Sequence, residues 1–439
     1  MSATATATAR LYAAYKRPAV AVSGLYLPGP RREPETEGMR IVVVGGAGAM
    51  GRVAVDDLAA DPGVALVTVA DADGVRAREV AEAAAGQGGK VRDIEADVRD
   101  PAFPGLLAGH HVCLNAASYR LNLTVMEASL AAGCHYLDLG GLFHVTRRSL
   151  ELSPRFEAAG LTGVVGVGGG PGMTNLMAVL GARELGAVRA VHVRMGSRDP
   201  SVAGSPLPVP YSLDTILDEF SHPAMAWRDG DFVEVPPLGE PEDVDFPPPV
   251  GRMTAVTTLH SEVATLPAHF ADRGIREVTF KIAFDPAFVE RFRLLAAIGL
   301  AGEDPVEVAG VSGGTVRPRD VLAALARRFP PAAGTDDHEA LRVVLEGERD
   351  GAPSRVVVDC VVDPDPARGM GAGARDTGIP PSIVAQMLAR GEIDRPGVHA
   401  PEDVVPLDAF LARLHERGIA VRATRSRAGR RGEMEGVEG

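Results

Sequence analysis

Cysteine, tryptophan and other aromatic residues are scarce in this chain. Of its 439 residues, three are cysteine and one is tryptophan, and aromatic residues make up 5%. Cys113, Cys134 and Cys360 are too few and too widely spaced for a disulfide framework or a zinc site. We therefore expect no bound metal, a buried hydrophobic role for Cys113, and a reducing, cytoplasmic location.

The chain also lacks positive charge in excess and long apolar runs. Its formal net charge of −13 argues against a general nucleic-acid binder and against binding to an anionic membrane surface. No segment approaches 18 uninterrupted apolar residues, so the sequence predicts no transmembrane helix. Nucleic acids and membranes are accordingly not expected as partners.

The N-terminal 38 residues differ in composition from the rest. They are rich in Ala, Thr, Pro and Arg, and Lys16 and Arg17 interrupt any apolar core of a signal peptide. We expect residues 1–38 to be a disordered extension and residues 426–439 a disordered tail.

A glycine-rich turn follows the first apolar run. Residues 41–44 predict a buried strand, G-x-G-x-x-G follows with Gly46, Gly48 and Gly51, and a helical pattern comes next. In a dinucleotide fold these glycines allow a tight turn, a close approach of the backbone to the diphosphate, and close helix–strand packing. Free N–H groups at the helix start, around Ala49 and Met50, would then hold the diphosphate.

A carboxylate stands where such a fold needs one. A second predicted strand, residues 65–70, ends at Asp71, 20 residues after Gly51. This is the position of the acidic residue that binds the adenosine ribose. A carboxylate repels a 2′-phosphate, so NAD is expected in preference to NADP, although Arg76 and Arg78 lie nearby.

Strands and helices alternate up to about residue 170, which predicts a doubly wound parallel sheet. Ligands bind beyond the carboxyl ends of such strands. We expect Asp97 and Val98 to meet the adenine, and Asn115 and Ala116 the ribose nearest the nicotinamide. The remaining residues expected around this crevice are Ala117, Leu139, Gly140 and Pro171.

The pattern changes near Pro171. Residues 188–195 and 278–284 alternate as half-exposed antiparallel strands do, and the proline-rich interval 196–253 predicts long connections. Residues 376–421 return to helical patterns. The fold expected is α/β: a Rossmann-type dinucleotide-binding domain of residues 39–170 plus 376–425, with an inserted α+β substrate and dimerisation domain of residues 171–375.

Several motifs together resemble the saccharopine dehydrogenase-like oxidoreductases, and within them the lysine 6-dehydrogenases. The matching segments are Val44–Gly51, Ala70–Asp73, Leu114–Ala116 with Tyr119, Tyr136–Gly141, Gly170–Asn175, Leu259–Glu262 with Thr265–Pro267, Thr377–Ser382, Gly397-Val398 and Pro401-Glu402. The resemblance implies an NAD(P)-linked enzyme that oxidises a C–N bond of an amino acid or diamine, or reduces an imine to form one. It also implies a homodimer built through the inserted sheet.

Oxidation of an amine requires a general base, because the new double bond to nitrogen uses the lone pair. Candidates for catalysis are Asp138, His260, Glu262 and Tyr119. The alternatives are that Asp138 caps the Gly140-Gly141 turn and that the other three are structural or solvated residues. A substrate carboxylate is commonly bound by arginine. The candidates, which the sequence does not rank, are Arg120, Arg194, Arg198 and Arg252.

Three functions fit these observations. The first is NAD-dependent oxidative deamination of lysine or a related diamine through an imine. The second is reduction of an imine by NAD(P)H, as in saccharopine or carboxynorspermidine dehydrogenases. The third is a non-catalytic NAD-binding sensor.

Overall fold

The structure, a computed structural model, describes residues 38–84, 86, 89–200, 206–310, 313–329, 336–427 and 435–437. The predicted N-terminal extension therefore lies outside the described residues, apart from Gly38. The strands are β1 Met39–Val44, β2 Val64–Asp71, β3 Val91–Glu95, β4 Val112–Asn115, β5 His135–Asp138, β6 Thr162–Val164, β7 Ala187–Arg198, β8 Ala224–Arg228, β9 Asp231–Val235, β10 Glu242–Asp245, β11 Arg252–Thr257, β12 Glu277–Ala283, β13 Val306–Glu307, β14 Thr315–Val316, β15 His338–Arg349, β16 Ala352–Val362, β17 Gly397–His399, β18 Val421–Arg427 and β19 Glu435–Val437.

Fourteen α-helices are assigned in the described residues. They are α1 Ala49–Ala60, α2 Gly74–Ala84, α3 Phe103–Leu107, α4 Asn122–Ala132, α5 Leu142–Leu150, α6 Ser153–Ala159, α7 Met173–Ala182, α8 Leu213–Ser221, α9 Glu262–His269, α10 Pro286–Ala297, α11 Pro318–Ala326, α12 Ala372–Ala389, α13 Pro401–Val404 and α14 Leu407–Glu416. No helix in this part of the chain combines the length and apolar composition needed to cross a membrane.

The first sheet is the predicted doubly wound sheet. Its seven strands are parallel and lie in the order β17-β6-β5-β4-β1-β2-β3. The order reverses direction between β1 and β4, which creates the crevice where such folds bind ligands. The predicted α/β class is confirmed.

The second sheet is mixed. Its main path runs β10-β11-β12-β7-β15-β16-β18-β19, and β8 and β9 pair beside β12. β7 and β12 were expected as antiparallel strands, but they pair parallel to each other, and β15 lies antiparallel on the other side of β7. Period-two alternation reports the two faces of a strand and carries no information on its direction.

Helices cover one face of this second sheet. A Cβ on Gly181 of α7 would lie 2.9 Å from Cγ2 of Val358, so this helix packs closely on β16. The opposite face carries charge: Lys281 is buried there and donates to Glu242 at 2.9 Å.

Two predicted boundaries need correction. The interval 196–253 contains α8 and three whole strands, β8, β9 and β10, rather than long connections alone. β18, placed by the sequence at the end of the dinucleotide-binding domain and the start of the tail, pairs with β16 of the second sheet, and residues 435–437 pair with β18. These segments satisfy an open sheet edge, a requirement that composition does not reveal. The division into two domains otherwise stays a prediction.

α12 joins the two sheets. It begins at Ala372, four residues before the predicted return, and contains Pro380 and Pro381. A Cβ on Gly378 would lie 2.7 Å from the carbonyl oxygen of Met50, so α12 packs against the start of α1. The carboxyl edge of the first sheet is therefore lined by segments far apart in sequence.

Candidate functional site

The glycine turn between β1 and α1 has the expected close packing. A Cβ on Gly51 would lie 2.8 Å from Cα of Gly46. Gly45, which the sequence analysis did not single out, has φ +74°, and its Cβ would lie 2.6 Å from the backbone nitrogen of Ala117. By contrast, a Cβ on Gly48 would meet only the carbonyl oxygen of Gly45, at 3.2 Å.

The start of α1 suits an anion. In the described chain its N-cap is Gly48, no side chain caps it, and its first turn has no acidic residue. The first N–H groups of a helix have no partner within the helix and carry the positive end of its dipole. The turn therefore fits the diphosphate of a dinucleotide at Ala49, Met50 and Gly51.

Asp71 lies beside this turn, as predicted. Its Oδ2 accepts a hydrogen bond from the backbone N–H of Ala47 at 3.1 Å, and its Oδ1 accepts from that of Asp73 at 3.0 Å. Arg76 reaches the same residue from the other side, since its Nη2 donates to the carbonyl oxygen of Ala47 at 3.2 Å. A carboxylate for a ribose diol and a cation for a 2′-phosphate thus flank one turn.

The other predicted cofactor residues lie along the same edge. Asp97 and Val98 follow β3, and Asp97 is exposed whereas Val98 is buried. Ala116 and Ala117 follow β4 and pack against Gly45. Their contacts with a cofactor stay predictions.

Asp138 is the centre of a buried network. Its Oδ1 accepts from the N–H groups of Gly140 (3.0 Å) and Gly166 (2.8 Å), and its Oδ2 accepts from Tyr136 (2.9 Å) and Asn122 (3.0 Å). Burial raises the pKa of Asp138 to about 6 against the opposing effect of these hydrogen bonds. A carboxylate with four donors is fully engaged, so the arrangement favours the turn-capping alternative over a general base.

Asn115 belongs to the same network. Its amide donates to Asn122 at 2.9 Å and to Tyr136 at 3.3 Å, and its oxygen accepts from the N–H of Ala117 at 3.2 Å. The amide therefore shapes the loop after β4.

The turn after β6 meets the turn after β5. A Cβ on Gly140 would lie 3.0 Å from the ring of Pro171 and 3.6 Å from Oγ of Ser261. Ser261 in turn accepts from the N–H of Gly141 at 3.3 Å. Asn175 braces the next helix, with its Oδ1 accepting from the N–H of Gly172 at 3.0 Å.

His260 and Glu262, on either side of Ser261, form a buried pair. Nδ1 of His260 bonds Oε2 of Glu262, and Oε1 accepts from Thr174 at 2.7 Å. The imidazole stacks on Phe280 with ring centroids 3.7 Å apart. Burial alone would lower the pKa of His260, but the Glu262 carboxylate outweighs it and leaves this pKa above its ordinary value.

A further carboxyl group faces this pair. Glu219 of α8 is buried and accepts from the hydroxyl of Tyr211 at 2.6 Å. Burial raises the pKa of Glu219 to about 7 although the charge of His260 opposes the shift. The site therefore holds two carboxyl groups and one imidazole within a shielded volume.

Tyr119 lies in a neighbouring ionic cluster. Its hydroxyl donates to the fully buried Asp218, which also binds Arg120 at 2.6 Å, Arg319 at 2.7 Å and His222 at 3.1 Å. Burial alone would raise the pKa of Asp218, but the His222 and Arg319 hydrogen bonds and the charge of Arg120 hold it well below its ordinary value.

The structure thus brings His260 and Glu262 together. Glu219 of α8 faces this pair, and its neighbour in α8, Asp218, binds Tyr119. Asp138 lies in a separate network under the turns. Of the four candidate arginines, Arg194, Arg198 and Arg252 contact Glu242, Val250 and Asp243 respectively, and Arg120 lies beside Tyr119.

Sequence reasoning missed Asp218 and Glu219. A signal was present, because Leu213, Ile216, Leu217 and Phe220 have the spacing of a buried helical face. No group of three or more His, Cys, Asp or Glu side chains in the described residues is arranged to hold a metal ion.

The fold and the turn define a protein with a Rossmann-type dinucleotide-binding sheet. The model of the saccharopine dehydrogenase NADP binding domain matches residues 41–164, and that of the saccharopine dehydrogenase C-terminal domain matches residues 168–419. The chain belongs to the saccharopine dehydrogenase family, a family of oxidoreductases, as its motifs suggested.

Curated relatives are similar over most of the chain. The carboxyaminopropylagmatine dehydrogenase of Synechocystis sp. is 24% identical over 331 residues, which cover 71% of this chain and 79% of the relative. The carboxynorspermidine synthase of Vibrio cholerae is 24% identical over 327 residues, covering 70% and 75%.

Two solved structures share the fold. Apo saccharopine dehydrogenase (L-Glu forming) from Saccharomyces cerevisiae superposes with a TM-score of 0.66 at 19% identity, covering 89% of this chain and all of the other. Homospermidine synthase from Legionella pneumophila in complex with NAD gives 0.57 at 13% identity, covering 91% and 95%.

Proposed function

We propose that this chain is an NAD(P)-dependent oxidoreductase that reduces an imine between a carboxyl-bearing carbonyl compound and an amine, or runs the reverse reaction. The observation that carries the proposal is the buried His260–Glu262 pair, which Ser261 fixes beside Gly140 and Pro171. Gly140 follows β5 and Pro171 follows β6, and a nicotinamide would lie at the carboxyl ends of these strands.

The reductive alternative is preferred to lysine deamination because of the relatives. Their names describe dehydrogenases or synthases of carboxylated polyamines. An enzyme that oxidises lysine stays a second candidate, since the site holds carboxyl groups suited to an amine in either direction.

His260 has the chemistry that this reaction requires. Glu262 engages Nδ1, which leaves Nε2 as the ring nitrogen for the substrate, and the raised pKa of His260 favours the protonated ring near neutral pH. The imidazolium would donate a proton to the hydroxyl that leaves as water when the amine and carbonyl condense. In the reverse direction the neutral imidazole would accept a proton from the water that adds to the imine.

The remaining residues bind and orient. Ala49, Met50 and Gly51 would hold the diphosphate, and Asp71 the ribose. A bound nicotinamide supplies or accepts the hydride. NAD stays the expected cofactor because of Asp71, and Arg76 supports some use of NADP.

A cofactor and substrate panel tests the proposal. NADH and NADPH consumption would be followed with an aldehyde-bearing carboxylic acid plus diamines, and NAD reduction with lysine, ornithine and carboxynorspermidine. We expect turnover with carboxylated secondary amines or their precursors, and a His260→Ala variant that binds NADH normally but loses most activity. Tight NADH binding without hydride transfer to any of them would favour the sensor.

A further inference from the structure

Arg319 of α11 has a buried guanidinium nitrogen with no hydrogen-bond partner among the described residues. The residue is 5% exposed. Its Nε donates to the carbonyl oxygen of Ala301 at 3.0 Å, its Nη2 donates to Asp218 at 2.7 Å, and its Nη1 makes no hydrogen bond. Two nitrogens therefore hold the guanidinium in place, while the third is a buried cationic donor whose missing acceptor needs an explanation.

The carboxylate of Glu303 lies next to this nitrogen. Its Oε1 is 3.2 Å from Nη1 of Arg319 and accepts a hydrogen bond from Nη1 of Arg120. Glu303 belongs to the connection between α10 and β13, and its side chain is 49% exposed. An ion pair made by an exposed side chain contributes little to stability. Another carboxylate could therefore replace that of Glu303 at small cost.

The charges around Arg319 leave a place for one such carboxylate. Asp218 is fully buried and binds both Arg120 and Arg319, so it balances one of their two positive charges. Asp214 lies 3.6 Å from Arg319, but it is 44% exposed and its charge is screened by solvent. Without Glu303 the buried part of this cluster would carry an excess positive charge, which an incoming carboxylate would neutralise.

The arginine cluster adjoins the proposed reaction site. Arg120 follows the end of β4, where the ribose nearest the nicotinamide is expected. Asp218 precedes Glu219 in α8, and its charge acts on Glu219, which faces His260. Consecutive Cα atoms are about 3.8 Å apart. A short carbon chain can therefore connect a carboxylate at the arginines to a carbon that reacts beside His260.

We propose that Arg120 and Arg319 bind the carboxylate of the carbonyl substrate, and that the Glu303 carboxylate occupies this place until the substrate displaces it. Arginine suits this task because its planar set of N–H groups matches two carboxylate oxygens. The exchange requires no preformed cavity, since the substrate carboxylate takes the volume that Glu303 leaves. The carbonyl substrate is that of the proposed function, on which this assignment rests.

Two aldehydes of equal length that differ in a carboxylate test this assignment. Calorimetric titration of the full chain saturated with NAD, which has no hydride to transfer, would give dissociation constants for 4-oxobutanoate and butanal. We expect 4-oxobutanoate to bind at least about tenfold more tightly, the factor of one charge-assisted hydrogen bond. Glu303→Gln should raise this preference about fivefold, as expected for removal of one exposed competing ion pair. Arg120→Gln should bring the ratio towards one.

Glu307→Gln is the matched control, because it makes the same change at an exposed residue four positions further along the chain. The same preference in Glu303→Gln and Glu307→Gln would overturn the exchange. No preference in the unmodified chain, or one retained in Arg120→Gln, would overturn the carboxylate site. Glu303→Gln serves on its own if Arg120→Gln does not fold. A preference that responds to these variants, without turnover with any amine, would instead refute the proposed function and leave the site standing.

Discussion

Replacement of Gly51 by alanine tests the glycine turn most directly. The new Cβ would lie 2.8 Å from Cα of Gly46 and closer still to the carbonyl oxygen of Gly45. Both are backbone atoms, so α1 must shift away from the turn. Overpacking costs roughly 1–3 kcal/mol, and we expect the upper part of that range because no flexible side chain can yield.

Helix propensity offsets part of this cost. Gly51 lies inside α1, where alanine is favoured over glycine by roughly 1 kcal/mol. The expected net loss in the free energy of unfolding is therefore about 1–2 kcal/mol, measured by urea denaturation. NADH affinity, measured by fluorescence titration, should fall as well, because the shifted helix start no longer meets the diphosphate.

Gly48→Ala separates folding from binding. Gly48 has φ −71° and ψ 165°, which alanine adopts readily, and its Cβ would meet only one oxygen at 3.2 Å. Stability should change by less than about 1 kcal/mol, whereas the Cβ would occupy the approach to the diphosphate and raise the NADH dissociation constant at least about tenfold.

Gly105→Ala, a helical position whose Cβ would meet nothing within 4 Å, is the control for both measurements. If Gly51→Ala is as stable as this control, the packing argument is wrong. If Gly48→Ala binds NADH like the unmodified chain, the cofactor does not use this turn.

Three further predictions concern charged side chains. Asp71→Ala should raise the NADH dissociation constant about tenfold through loss of a ribose hydrogen bond, whereas Arg76→Ala should weaken only NADPH, both by fluorescence titration. Asp218→Asn should lower the free energy of unfolding by about 3–5 kcal/mol in urea, because buried Arg319 loses its nearest and fully buried carboxylate, whereas Glu303 and Asp214 lie farther away and are more exposed. Glu219→Gln should become more stable relative to the unmodified chain between pH 5 and pH 8, by up to about 3 kcal/mol.

The sign of the pH effect follows from the raised pKa. Folded Glu219 holds its proton up to about pH 7, above the ordinary value of 4.5. Its contribution to stability is therefore complete below pH 4.5 and is lost as the pH rises to 7. A difference that stays flat across this range would refute the burial argument.

Specific results would contradict the Asp218→Asn and Arg76→Ala predictions. Asp214 is 44% exposed and lies 3.6 Å from Arg319. Asp214→Asn should therefore lower the free energy of unfolding by less than about 1 kcal/mol. An equal loss in Asp214→Asn and Asp218→Asn would contradict the role of burial. If Arg76→Ala weakens NADH binding and NADPH binding equally, Arg76 supports the turn and does not select the cofactor.

Most of the first sheet followed from sequence pattern. Residues 41–44 and 65–70 were predicted as strands, and the structure has β1 and β2 there. Asp71 was predicted beside the glycine turn, because a fixed number of residues connects β1, α1 and β2. Such features are local, since the strand and helix periods and the turn residues act over a few positions.

Pattern failed where a segment is irregular or its partner is remote. α8 escaped prediction because prolines surround it, and the first four residues of α12 escaped because Gly373 is a poor helix former. β12 is parallel to β7 and antiparallel to β11. The alternation of apolar and polar residues is the same for either pairing, so it does not predict strand direction.

The sequence alone therefore determined the parallel sheet, its dinucleotide turn and the family. Only the tertiary structure decided that Asp138 is enclosed by four donors while His260 pairs with Glu262 beside Thr174, 88 residues away in the chain. The reason is physical. A carboxyl group's chemistry is set by its burial and its donors, and those come from segments that meet only when the sheets and helices pack.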